Sequence, residues 1–230
     1  MDKENRNRKR STKGKLLPKE YKWEGQGAKR EQKKEELPGI ITGVKLEIKE
    51  MRQEEGCMER KVHIGNKWWK IMTIYSKEMK TTRRRVEDAT KENREDCILL
   101  GGDFNGEIGE RGARNWEEER GDGKRKSKDK MENAEGKRPM EWIEENGWEV
   151  LNGNKQGDEE EKWTYIDIRR ETVLDYGIVN EETWERVQEF RIGPSRNSFE
   201  EAKGKNREGK GWWIGIKLFI FTFLELLFYV

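Results

Sequence analysis

Apolar residues in this chain fall in short runs separated by long charged stretches, and the spacing within each run predicts its element. Pro38-Gly39 opens Ile40 to Val44, which reads as a strand, and a stronger strand follows at Arg60-Lys61-Val62-His63-Ile64. Gly65-Asn66 is a two-residue hairpin signal, and Lys67 to Tyr75 supplies the returning strand, with Trp69, Ile71, Thr73 and Tyr75 on one face. Lys77 to Asn93 then carries Met79, Val86 and Ala89 as the apolar stripe of a helix. Cys97 to Leu100 is an apolar run bounded by charge and by glycine, the signature of a buried strand. Strand, helix and strand in that order form a crossover unit, which predicts a parallel pair.

Gly106 to Lys130 shows no period and reads as a long loop, of the length that is usually functional or disordered. Arg111, Arg114, Lys124, Arg125, Lys126 and Lys128 within it either line a phosphate path or form a solvated face. Glu132 to Asn146 predicts a helix with Met140 and Ile143 inward and Gly147 as its stop; Pro139 marks its true first turn or is out of place. Trp148 to Leu151 is the next strand, and Lys162 to Ile166 and Thr172 to Val179 are expected as the pair after it. In the last of these Asp175 lies on the face opposite Leu174, Tyr176 and Ile178, and a lone acid there requires a partner.

Composition narrows the class. With 230 residues, 31% hydrophobic and 42% charged, the chain makes one domain with a thin core. The charges nearly cancel at a formal +2, so attraction to nucleic acid has to come from local clustering. Met1 to Lys15 supplies one such cluster and reads as a disordered arm that contacts phosphates, serves as a nuclear address or has no role. Two cysteines, Cys57 and Cys97, and no cleavable leader argue against a disulfide-stapled secreted protein. His63, the single histidine, is expected to be structural.

The chemistry concentrates at Leu99-Leu100-Gly101-Gly102-Asp103-Phe104-Asn105, where an apolar strand ends in two glycines, an acid and an amide. In extended backbone Asp103 and Asn105 would leave from one face at the strand's C-terminal edge, where open α/β sheets place ligands. A carboxylate beside an amide takes a proton from water or places an oxygen on magnesium, while the amide donates to phosphate. The same residues are also turn-formers in any fold.

Gly-Gly-Asp-Phe-Asn is followed in order by Ser127-Lys128-Asp129, Asn133, Gly136, Trp142 to Trp148, Leu151-Asn152-Gly153, Trp163-Thr164-Tyr165 and Val173-Leu174-Asp175-Tyr176. This ordered set resembles the endonuclease/exonuclease/phosphatase superfamily, and most of all the endonuclease domain of insect non-LTR retrotransposons. The resemblance implies an α/β fold, a two-sheet sandwich of the DNase I-like kind, here truncated at both ends. It implies a magnesium-dependent cut of a DNA phosphodiester, with Asp103 taking the proton from water, Asn105 holding phosphate, Tyr75 reaching the scissile phosphate and Asp175 orienting a histidine. The family's Ser-Asp-His triplet is matched by Ser198-Phe199-Glu200, so the catalytic histidine is replaced, and the family's first-strand asparagine and metal-binding glutamate have no counterpart. The expectation is a fragment of an endonuclease domain, catalytically impaired, with magnesium binding in doubt; the alternative is a non-catalytic nucleic-acid-binding or tail-anchored membrane remnant.

The expected organisation is an arm over 1–20, the partial domain over 21–193, a charged linker over 194–211 and a hydrophobic segment over 212–230. Tyr21 to Glu36, at the start of the domain, is expected to be loop or loose helix. Trp212 to Val230, apolar except for Lys217 and Glu225, just reaches the span of a bilayer core and is either an anchor or an accidental extension unrelated to the domain.

Overall fold

The computed structural model describes residues 22–26, 40–44, 48–64, 66–91, 96–113, 125–166, 170–194, 212–218 and 227–229. The expectations for the basic arm, for Arg114 and Lys124, and for Phe199-Glu200 lie outside them. Two sheets form the centre. One has the order β3 (Ile48–Glu54), β4 (Cys57–Ile64), β5 (Lys67–Tyr75), β6 (Cys97–Asp103), β10 (Asp175–Val179), β7 (Glu149–Val150). The other has the order β1 (Lys22–Gln26), β2 (Ile40–Val44), β13 (Leu227–Tyr229), β12 (Trp212–Leu218), β11 (Val187–Pro194). A two-stranded hairpin, β8 (Tyr165–Ile166) with β9 (Glu171–Thr172), stands apart from both. This is the mixed α/β sandwich that the sequence led us to expect.

The hairpin of β4 with β5 forms with Val62 opposite Trp69 and Ile64 opposite Lys67, and the crossover through α1 (Met79–Thr90) returns β6 parallel to β5. Both faces of β5 are buried, beyond the single face that alternation predicted. Trp69 and Ile71 enter the core between the sheets, while Met72 and Ile74 enter the core under the helices. A central strand covered on both sides has no solvent face to spend on polar residues; even Lys70, also on β5, is buried and pairs with Glu59.

The core between the sheets joins Val62, Trp69, Leu99 and Val179 to Val187, Phe190 and Ile192 of β11. Gly177 of β10 makes this approach possible, because a Cβ there would run into the Phe190 ring. The second core lies between the six-stranded sheet and α1 with α2 (Ala134–Glu145); Val86, Met140, Trp142 and Ile143 pack onto Ile98, Leu100 and Ile178.

Four expectations are corrected. Lys22–Gln26 is a strand, paired antiparallel with β2, where loop or loose helix was expected; main-chain hydrogen bonds need no apolar side chain, and β2 offers an open edge. Pro139 lies inside α2, whose N-cap is Asn133, so it does not mark the first turn. Lys162 to Ile166 and Thr172 to Val179 do not pair along their length: only β8 and β9 meet, and β10 runs instead between β6 and β7. Finally, the apolar C-terminal stretch contributes β12, paired with β11 over seven register positions, and β13, which bridges β12 to β2. Among the described residues no helix is long and apolar enough to cross a membrane.

Candidate functional site

Three strands bring three of the sequence candidates into one row. Parallel pairing of β5 with β6 sets Tyr75 beside Asp103, and antiparallel pairing of β6 with β10 sets Asp175 beside Asp103 on the other side. The Phe104 N–H donates to the Leu174 carbonyl at 2.9 Å, so Asp103 and Asp175 form a non-hydrogen-bonded pair, the kind whose side chains approach most closely. Gly102 permits the tight packing just before the row: its φ is +135°, and a Cβ there would overlap the Ile74 carbonyl of the neighbouring strand.

Burial and like charge act together on this row. The Asp103 carboxyl, ordinarily at 3.8, is pushed up to about 6 by desolvation, against the pull of the Asn105 N–H that donates to its Oδ1 at 2.7 Å. Asp175 is pushed up to about 7, first by desolvation and then by the Asp103 charge, while the Thr164 hydroxyl opposes the shift. Two carboxyls so placed titrate as a unit and hold a proton between them near neutrality. Tyr75 is likewise raised, by burial and then by Asp103. The acid that required a partner has therefore found another acid.

Asn105 joins the site differently from the expectation. The strand ends at Asp103, and Asn105 is left-handed at φ +51°, a conformation asparagine tolerates, with its side chain exposed beyond the buried Phe104. The extended alternation that would have put Asp103 and Asn105 on one face stops there. Their link is the N–H to Oδ1 bond of a turn, so the turn-forming and site-forming readings of these residues are both correct.

Two residues quoted in the sequence only as parts of motifs hold Asp175 in place. Asn152 donates to the Asp175 carbonyl at 3.0 Å and accepts from the Gly177 N–H at 2.9 Å. Thr164 accepts from the Leu174 and Asp175 N–H groups at 2.9 and 3.0 Å. Their place in the ordered motifs, Leu151-Asn152-Gly153 and Trp163-Thr164-Tyr165, was the sequence signal for both.

The loop after Asn105 is reordered by its own charges. Arg125 is buried: it ion-pairs with Glu161 and donates to the carbonyls of Arg111 at 2.6 Å, Asn152 at 2.9 Å and Gly109 at 2.6 Å. Arg111 pairs with Glu132 at 2.7 Å and with Glu144 at 2.5 Å. Neither is free for a phosphate path, whereas Lys126 and Lys128 are exposed. His63 is exposed on β4 and lies against Trp68, with ring centroids 4.8 Å apart.

No group of three or more histidine, cysteine, aspartate or glutamate side chains among the described residues is arranged to hold a metal ion. Asp103 and Asp175 are two hard oxygen donors already competing for a proton. Two carboxylates are a donor set from which magnesium, keeping water and phosphate oxygens at its other positions, would take its protein ligands.

No protein-family profile matches the chain, and no curated protein matches it. Among solved structures it is similar to the endonuclease domain of TRAS1, a telomere-specific non-LTR retrotransposon, with a TM-score of 0.55 and 12% identity over 86% of this chain and 81% of that one. A second similar structure is an endonuclease/exonuclease/phosphatase family protein from Leptotrichia buccalis, with a TM-score of 0.48 and 10% identity over 94% of this chain and 74% of that one.

Proposed function

We propose that this chain, whose fold is that of the endonuclease/exonuclease/phosphatase superfamily, is a retrotransposon-type endonuclease domain that has kept its nucleic-acid-facing frame and lost most of its cutting power. The observation that carries this reading is the row Tyr75, Asp103, Asp175, in which the acid that should orient a histidine faces a second acid instead. The chain's one histidine is on β4, outside this row.

Phosphodiester hydrolysis needs a base to take the proton of the attacking water and a donor or cation to neutralise the charge that develops on phosphorus oxygens. Asp103 supplies the base, strengthened by its surroundings: a carboxylate with its pKa near 6 is a better proton acceptor than an ordinary one. Asn105, at the exposed tip of the turn, offers amide donors to a phosphate. The second half of the requirement has no side chain of positive charge in the row, which holds only Tyr75 and the two acids. Catalytic groups of this kind act as a unit, and losing one member commonly costs several orders of magnitude in rate.

Purified full-length protein with magnesium and supercoiled plasmid tests the reading. The expected outcome is nicking no faster than that of an Asp103→Ala variant. Nicking that depends clearly on Asp103 would show an intact enzyme and overturn the impaired reading.

A further inference from the structure

Residues 125–130 alternate strictly. Arg125, Ser127 and Asp129 are buried, and Lys126, Lys128 and Lys130 are exposed. In a segment with no helix or strand of its own, that alternation has to be imposed by specific bonds, and each buried member has them. Arg125 is held by Glu161 and three carbonyls. The Ser127 hydroxyl lies within hydrogen-bond reach of the Asp129 carbonyl, at 2.6 Å, and of Glu161, and has one proton to give between them. Asp129 accepts the Met131 N–H at 3.0 Å, the Val173 N–H at 3.2 Å and the Thr172 hydroxyl.

Main-chain bonds fix the outward positions too. The Lys128 N–H donates to Glu161 at 3.0 Å and the Lys126 N–H to the Gly153 carbonyl at 3.0 Å. A solvated loop has no need of so rigid a frame. The frame also fastens directly to the candidate site: Asn152, whose carbonyl Arg125 holds, bonds Asp175, and Val173, which Asp129 holds, lies two residues before it.

We infer that Lys126 and Lys128 form a preset rail for the phosphate backbone of a DNA duplex, leading it past the Tyr75, Asp103, Asp175 row. The inference rests on the nucleic-acid reading above. Lys130 completes the stripe but is paired with Glu110; among the described residues Lys126 and Lys128 are in no ion pair within 4.0 Å, although the Lys126 charge also acts on Glu159. A polyanion is the complement of two ammonium groups held at alternate positions, and side chains anchored in advance lose less freedom on binding than those of a loose loop.

Phosphate contacts release counterions, so each one steepens the fall of affinity with salt by about 0.9 in log–log slope. Fluorescence anisotropy of a labelled mixed-sequence duplex, titrated with the full chain at several salt concentrations, reads that slope. For Lys126→Gln with Lys128→Gln the slope should be shallower by about 1.8, and by about half of that for Lys128→Gln alone, equally on a second duplex of unrelated sequence. Lys80→Gln with Lys137→Gln, exposed charges on α1 and α2, should leave it unchanged. An unchanged slope in the rail variants with binding retained overturns the rail alone. Absence of duplex binding overturns both the rail and the nucleic-acid reading. Vesicles of anionic phospholipid, run in parallel, should not depend on the two lysines; if only vesicle binding does, the occupant is a membrane and the inference fails. Plasmid nicking is blind to all of these outcomes, so the two tests fail separately.

Discussion

Asp103 and Asp175 show how one residue's chemistry is set by another strand. Each is an ordinary aspartate in sequence; Asp103 is raised because folding removes water, and Asp175 because folding removes water and also places it opposite Asp103. Asp158, buried behind Gly153, is raised to about 7 by desolvation as well. Between about pH 4 and pH 7 the folded chain therefore binds protons that the unfolded chain has already lost. The stability these carboxyls contribute is fully present below their unfolded pKa and is lost as pH rises through the folded values of about 6 and about 7, after which it levels. Asp175→Asn cannot ionise and relieves the repulsion on Asp103. Urea unfolding at about pH 5 and about pH 8 should show the wild type losing some 1 to 2 kcal/mol more than the variant, since each tenfold change in proton affinity is worth about 1.4 kcal/mol. Equal losses in both proteins would mean that the pair is solvated and unshifted.

Among the elements, α2 shows best how local signals and tertiary needs converge. The sequence placed a helix over Glu132 to Asn146, and Ala134–Glu145 forms inside those limits with Gly147 left-handed just beyond, at φ +65°. Asn133 is a strong N-cap by residue type, accepting from the Gly136 N–H at 2.8 Å. Its amide also donates to Glu107 at 3.0 Å, and its Oδ1 accepts the Glu107 N–H at 3.3 Å, so the cap also anchors the loop that leaves the candidate site. Asn133→Ala should consequently cost about 2 kcal/mol, the upper end for a cap, read as a lower denaturant midpoint with unchanged slope. Asn133→Asp keeps the acceptor but sets a second carboxylate against Glu107 where the amide donated, and should recover only a minor part of the loss. Pro139 escapes notice by the same convergence: it removes one N–H from the helix, yet it is buried on the face that packs, where its ring adds apolar area.

At the scale of the molecule, the five-stranded sheet is assembled from residues more than 180 positions apart, with Thr42 of β2 opposite Phe228 of β13. The apolar C-terminal stretch is therefore a working part of the sandwich. A chain ending after Gly211 lacks β12 and β13 and leaves facing edges of β2 and β11 unpaired over the inter-sheet core. It should lose the cooperative melt of the full chain and bind a hydrophobic dye at room temperature, as loosely packed states do. A sharp transition in the shortened chain, equal to that of the full one, would show that the second sheet stands without its last strands.

The sequence by itself determined whatever depends on neighbours along the chain. That includes the hairpin of β4 with β5, the α1 crossover with its parallel pair, the apolar strand ending at Asp103 and the stop at Gly147. These follow from period, turn chemistry and connection length, each local in range. Tertiary structure alone decided what depends on register and burial between distant segments. Asp175 lies opposite Asp103 because β10 inserts between β6 and β7. Arg125 is inside while Lys126 and Lys128 are outside because Glu161, 36 residues on, is there to meet the first. A run of charged residues carries no period that says which of them will be desolvated; only the arrival of a buried partner settles it, since a charge leaves water at acceptable cost only when another charge and hydrogen bonds replace that water.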